Sequence, residues 1–475
     1  MRLALLCVVG VSALAQTPGT FTATGNMTTA RFVHTATLLA DGRVLIAGGG
    51  RLAGSPPEVE PLANAELYDP YTGVFTPTGD MTTARFYHSA TLLPDGQVLI
   101  TGGGNLFAAS AELYHPSTGT FTGIDGTTTV GSIATLLKNG EVLITGNKTA
   151  ELYNPVSDRF APTGSYVGPF YYGPYFYQDT DTSLPDGRVL SVGSACGDCW
   201  LEHEEIYDPV TGTFKVTGKL HTFDSEGDIG SGHTATLLPN GEVLLAGGVG
   251  NFNFFSAAEL YDPSTDTFTA TAKMTTARDG HTATLLPDGT VLVAGGQFYS
   301  NLISAELYNP STGTFAATAN MTMARAEHRA TLLPDGRVLL SGGVGDSGHG
   351  LASAEIYTPP VLVPAPALFS VSGDGKGQGA ILHANTPRVA SSTDPAMAGE
   401  FLEIYLTGLA DGSVIPPQVS IGGRMTEVVY FGKSGYTGVN QVDVRVPSGV
   451  VPGPAVPVRL TYIGRSSNEV TIGVQ

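Results

Sequence analysis

The run Met81-Thr82-Thr83-Ala84-Arg85-Phe86-Tyr87-His88-Ser89-Ala90-Thr91-Leu92-Leu93-Pro94-Asp95-Gly96-Gln97-Val98-Leu99-Ile100-Thr101-Gly102-Gly103, followed after a variable stretch by Ala111-Glu112-Leu113-Tyr114, decides the fold. Its apolar segments are strand-length, and Asp95-Gly96 between the first two is a tight hairpin signal. The pattern recurs with its marker histidine at His34, His88, His233, His281 and His328, while Ser132 and Asp179 hold the marker position in the third and fourth units. The six intervals from His34 to His328 average 49 residues. Each unit supplies the Ala-Thr-Leu-Leu run, the hairpin, a Val-Leu-Ile run, a Glu-Leu-Tyr run, an Asp-Pro-x-Thr-Gly turn and a short strand around a phenylalanine. Four such strands make one propeller blade.

A period near 50 with a double glycine and a tyrosine followed seven residues later by an aromatic resembles the kelch family. The pairs are Tyr68/Phe75, Tyr114/Phe121, Tyr153/Phe160, Tyr207/Phe214, Tyr261/Phe268 and Tyr308/Phe315, with phenylalanine where kelch repeats usually carry tryptophan. The seventh unit has Glu355-Ile356-Tyr357 but no following phenylalanine strand, and Thr20-Phe21-Thr22 stands ahead of the first unit. The expected fold is therefore all-β: a seven-bladed propeller over 16–358, closed by its N-terminal strand, which leaves no open edge between the first and last blades. The loops leading into the first strands and those after Gly-Gly share one face, and only that face varies.

Residues 1–15 read as a signal peptide, with Arg2, an apolar run from Leu3 to Leu14 and the Ala13-Leu14-Ala15 cleavage pattern. Export follows, to the extracellular space or cell surface, and no stretch is long and apolar enough for a membrane span. Pro359, Pro360, Pro364 and Pro366 mark a stiff linker over 359–366. Over 367–475, alternating runs such as Phe401 to Leu406 and Gln441 to Val446 predict a small β-sandwich. Gly438-Val439-Asn440-Gln441-Val442 with Gly453-Pro454-Ala455-Val456-Pro457-Val458 resembles the immunoglobulin-like C-terminal domain of secreted acidobacterial proteins, a family without an assigned activity. A monomer is expected.

A net charge of −19 excludes nucleic acid and anionic membrane surfaces, because phosphates are repelled. Features present in every unit are read as framework: the glutamate two residues before each tyrosine, and the histidines with Arg31, Arg85, Arg278 and Arg325. Specific activity is sought where blades three to six break the repeat. Tyr166, Tyr171, Tyr172, Tyr175 and Tyr177 crowd the loop before the fourth blade, and aromatic faces stack on sugars or pack on peptides. Cys196 and Cys199, the only cysteines after the signal, flank Gly197-Asp198 and precede Trp200 and His203. They read as a local disulfide, with a three-ligand metal site including His203 left open. Asp224, Glu226 and Asp228 read as a solvated acidic loop, with calcium binding or general acid/base work also open. Phe254, Phe298 and Tyr299 extend the aromatic face.

Arg85-Phe86-Tyr87-His88-Ser89 resembles the Tyr-His copper-ligand segment of the galactose oxidase family, itself a secreted kelch propeller followed by an immunoglobulin-like domain. The resemblance implies Tyr87 as axial ligand, His88 as a copper ligand and His383 as the second histidine. The family also needs a tyrosine cross-linked to a cysteine, here Cys196 or Cys199. The leading expectation is a binding module without a cofactor that recognises a carbohydrate or an extracellular protein through the loop face of blades three to six. The alternatives are a copper-radical oxidase of sugars or alcohols and a polysaccharide hydrolase or lyase.

Overall fold

The computed structural model describes residues 19–54, 58–103, 110–127, 129, 133–146, 149–167, 180–195, 201–220, 232–250, 253–360, 362, 366–409, 416–436, 438–462 and 465–475. Among these there is no helix, and seven four-stranded antiparallel sheets are built from strands between Thr20 and Thr358. Sheet one runs Thr35–Leu38, Val44–Ala47, Ala65–Asp69, Val74–Pro77, and the same order repeats from His88–Leu92, Ile133–Leu136, Thr180–Ser183, Thr234–Leu237 and Thr282–Leu285. Sheet seven holds Arg329–Leu332, Val338–Ser341 and Ala354–Thr358, and its fourth strand is Thr20–Ala23 from the N-terminus. Phe21 pairs with Tyr357, their rings 4.8 Å apart, in the register of the six other Tyr/Phe pairs. The first strand of each sheet neighbours that of the next, and Arg329–Leu332 returns to Thr35–Leu38, so the cycle is closed.

These innermost strands converge without pairing, so their outer edges need other partners. Short hydroxyls supply them: Thr91 Oγ1 donates to Ala134 O at 2.9 Å, and Ser183 Oγ to Leu136 O at 3.1 Å. Between sheets the contacts are apolar; Met81, Leu45 and Ala47 meet Val98, Ile100 and Tyr114 in one such core. The tyrosine hydroxyls are not left dry. Tyr114 Oη and Thr78 Oγ1 share a 3.0 Å bond, and Tyr68 pairs with Thr24 in the same way.

At the hairpin-turn end of the channel six leucines, Leu38, Leu92, Leu136, Leu237, Leu285 and Leu332, occupy equivalent positions, with Ser183 in the seventh. Two five-stranded sheets built from residues 367–474 lie against this end and share one core, in which Leu402, Ile404 and Val442 meet Val419, Val458 and Ile472. The sheet containing Gln418–Ile421 and Gly453–Tyr462 touches the ring: Ser420 Oγ donates to Pro94 O at 3.4 Å and Arg459 Nη1 to Asp95 O at 3.3 Å.

Candidate functional site

The recurring polar residues form the frame around the opposite, loop-bearing end. Arg31, Arg85, Arg278 and Arg325 are all fully buried, with a terminal nitrogen 2.7–2.9 Å from Glu66, Glu112, Glu306 and Glu355 respectively. The second terminal nitrogen of each donates to the carbonyl of the first glycine in the Gly-Gly pair, at 2.6 Å in Arg85 to Gly102. The glutamates also take backbone N–H bonds from the loop before the first strand, as Glu112 does from Thr82 and Thr83. Burial lowers the pKa of Arg31, Arg278 and Arg325, opposed by the paired carboxylate. Each of these arginines is thus tied at both terminal nitrogens, to a carboxylate and to a backbone carbonyl, which marks it as framework. Gly48 shows why the double glycine recurs: its φ is +58°, and a Cβ there would lie 2.6 Å from Arg85 O and 2.8 Å from His88 Cε1.

The marker histidines link neighbouring sheets. Nε2 of His88 bonds Thr35 Oγ1 at 3.0 Å, His233 bonds Thr180, His281 bonds Thr234 and His328 bonds Thr282. Burial, reinforced by the nearby arginines, drives His34, His281 and His328 well below the ordinary imidazole pKa and His88 down to about 3. They are neutral spacers.

Just before each histidine the chain passes the channel mouth in a left-handed turn. Val33, Tyr87, Gly232, Gly280 and Glu327 have φ of +46°, +54°, +76°, +59° and +55°. Their backbones join hand to hand: Gly280 N to Gly232 O, Glu327 N to Gly280 O, Val33 N to Glu327 O and Tyr87 N to Val33 O, at 2.8–3.3 Å. A β-branched valine in this region is a strained residue that its surroundings must hold in place.

Two side chains at the mouth break the repeat and escape a reading centred on motifs. Arg329 stands where other sheets carry Thr35, Ser89, Ile133, Thr180, Thr234 or Thr282. Its Nε donates to His34 O at 2.7 Å, and Glu327 and Tyr87 lie in electrostatic reach. Asp181 replaces an alanine found at the same place in all other sheets. Thr145 Oγ1 donates to it at 2.7 Å, and burial raises its pKa to about 6. Column-by-column comparison of the units is the signal that finds both.

Of the aromatic residues expected on this face, Phe254, Phe298 and Tyr299 are brought together. They come from hairpins above sheets five and six, with ring centroids 5.8 Å apart for Phe254–Phe298, 5.4 Å for Phe254–Tyr299 and 4.8 Å for Phe298–Tyr299. Tyr299 is 79% exposed and has a φ of +58°. Gln297, next to Phe298, donates to Asp279 at 3.0 Å, and Glu327 lies over Gly280, so this cluster is continuous with the channel mouth. Tyr166 is a correction: it is 7% exposed and fills the slot that Met27, Met81, Met274 and Met321 fill elsewhere. Its ring packs 4.5 Å from Phe214, and its hydroxyl meets Ser191, which replaces an aliphatic residue. It presents no face to a ligand. Tyr171, Tyr172, Tyr175, Tyr177, Cys196, Cys199, Trp200, Asp224, Glu226 and Asp228 lie outside the described residues, as does the side chain of His203.

The copper set suggested by resemblance, Tyr87, His88 and His383, is not brought together as ligands. His88 commits Nε2 to Thr35. His383 is in the sandwich sheet other than the one that touches the ring, where Nδ1 contacts Glu400 and Nε2 lies 3.1 Å from Asp394 O. Among the described residues no three His, Cys, Asp or Glu side chains are grouped to hold a metal ion. As placed, Tyr87, His88 and His383 do not form a copper centre.

Closed cycle, repeat and framework together define an all-β fold of the galactose-oxidase-like, kelch type. Comparison with known proteins agrees: 88 residues are 36% identical to galactose oxidase from Gibberella zeae, a match covering 18% of this chain and 13% of that enzyme. The chain thus matches only a small part of its curated relative. A fungal alcohol oxidase of the AA5 family, solved in complex with copper, has a TM-score of 0.62 at 17% identity, covering 96% of this chain and 99% of that one. No sequence-family model matches the chain.

Proposed function

We propose that this protein is an exported seven-bladed kelch propeller with an immunoglobulin-like C-terminal domain, and that it recognises carbohydrate on its variable loop face. The observation that carries this reading is the Phe254, Phe298 and Tyr299 cluster, an aromatic platform exposed on two adjacent loops beside the polar channel mouth. Aromatic faces stack on the apolar faces of sugar rings, while nearby carboxylate, phenol and guanidinium groups take up hydroxyls. Glu327, Tyr87 and Arg329 supply those polar groups. Backbone strain at Tyr299 is the kind of cost kept where a side chain must point outward for use. An extracellular protein segment is the other partner class for the same platform.

The test is binding of the purified protein to an array of neutral and acidic glycans, with Phe254→Ala and Tyr299→Ala beside it. Loss of a specific signal in both variants supports the platform; retention of the signal moves recognition elsewhere on the molecule.

A second reading, a copper-dependent oxidase of sugars or alcohols, is favoured by the galactose oxidase match and the copper-bound structural neighbour. It requires ligands other than Tyr87, His88 and His383 as they stand. Stoichiometric copper uptake with peroxide release on alcohols would establish it; lack of both would remove it.

A further inference from the structure

The end of the channel facing away from the loops is covered but not filled. Between the leucine ring and the sandwich lie a cleft of about 800 Å³ and, beside it, one of about 360 Å³. They share Leu136, Gln418, Met425 and Thr461 in their walls, and between them all six ring leucines and Ser183 are exposed to this space. At roughly 30 Å³ per molecule, the larger cleft alone would hold some two dozen waters against leucine, proline, methionine and valine. Hydrating such walls is unfavourable, and a volume of this size at a domain interface falls within the roughly 300–1,000 Å³ of small-molecule sites.

Among the described residues the larger cleft has one cation on its rim, Lys138. Lys138 donates Nζ to Pro185 O; Asp186 lies in electrostatic reach of it, but no carboxylate forms a contact ion pair with it among the described residues. The neighbouring acid, Asp186, is engaged by Arg188 at 2.7 Å, and Glu427 on the same rim faces Arg445 at 3.5 Å. An ammonium hydrogen-bonded to a carbonyl and without a contact ion pair, at the edge of an apolar cleft, is complementary to an anionic head on an apolar body. Gln418 and Thr461 on the opposite wall add hydrogen-bonding groups between head and body.

We infer that the cleft between the ring and the sandwich is a binding site for a monocarboxylate amphiphile, its apolar body on Leu136, Leu237, Leu285 and Met425 and its carboxylate at Lys138. This site is separate from the loop face and does not depend on the recognition proposed there.

The probe is cis-parinaric acid, whose emission rises in apolar surroundings, titrated into the full chain alongside its methyl ester. A saturable rise at one equivalent is expected. Lys138→Met should weaken the acid about tenfold and leave the ester unchanged. Leu285→Trp should abolish binding of both by filling the cleft, and Ser183→Leu, which completes the leucine ring with the residue six other sheets use, should weaken both if the tryptophan variant fails to fold. No saturable rise with the wild-type chain overturns the inference. So does equal weakening of acid and ester by Lys138→Met, or unchanged binding in the folded cleft-filling variants.

Discussion

Nε2 of His88 lies 3.0 Å from Oγ1 of Thr35 across the boundary between two sheets that share no backbone hydrogen bond between their strands. With the matching contacts of His233, His281 and His328, it recurs around the ring as a buried polar link between sheets whose shared cores are apolar.

Acid should therefore weaken the ring earlier than carboxylates alone would make it do. His88 takes a proton only near pH 3 when folded, because it is buried and next to Arg85, whereas an unfolded histidine does so near 6.5. Between these values the unfolded chain binds more protons, so stability is full above about pH 6.5 and falls as pH drops toward 3. Urea unfolding across pH 5–7 should show this decline, with a slope shallower by about 1 kcal/mol per pH unit in His88→Gln.

Asp181 should act with the opposite sign. Its folded pKa is near 6, above the ordinary carboxyl value of about 3.9, so it destabilises the folded state increasingly as pH rises from about 4 to 6 and by a constant amount above that. Asp181→Ala restores the residue of the other six sheets. It should raise the unfolding free energy by on the order of 1–3 kcal/mol at pH 8 and change little at pH 4. Equal effects at both pH values would count against a titrating carboxyl.

Arg85→Met leaves Glu112 buried without its cation, and breaking such a pair costs about 3–5 kcal/mol. The double variant Arg85→Met with Glu112→Leu should recover part of that loss. Chemical denaturation of the three proteins measures the difference.

Tyr299→Gly should stabilise and disarm the protein together. Glycine adopts φ of +58° freely, so relief of about 1 kcal/mol is expected in thermal unfolding, while glycan binding at the platform is lost.

Much of the framework could be read from the chain because it recurs. Tyr68/Phe75 and its counterparts pair in the register their seven-residue spacing dictates, since a turn of fixed length admits only one. The site was less legible. Tyr166 reads as part of an aromatic loop, yet the strand before it carries its ring into a methionine slot, and only Ser191, far along the chain, signals a buried hydroxyl. Tyr87 and His88 follow one another in a motif, but the left-handed turn at Tyr87 sends His88 into the sheet boundary. Arg329 and Asp181 are visible as departures from the repeat, although which groups surround them is set by neighbouring sheets, through Thr145, 36 residues from Asp181, and His34, 295 residues from Arg329. Phe254 meets Phe298 and Tyr299 only because sheets five and six are neighbours.

The pairing of Thr20–Ala23 with Ala354–Thr358 has a consequence for how the molecule is made. The strand that begins sheet seven's outer edge is synthesised first, and its partner emerges more than 330 residues later. At about 5–20 residues per second, translation takes tens of seconds to deliver that partner. Sheets one to six can assemble on the growing chain, but the cycle closes only once Ala354–Thr358 has emerged. Until then Phe21 has no tyrosine to cover it, and whatever shields that strand during the wait determines how much of the protein reaches its finished form.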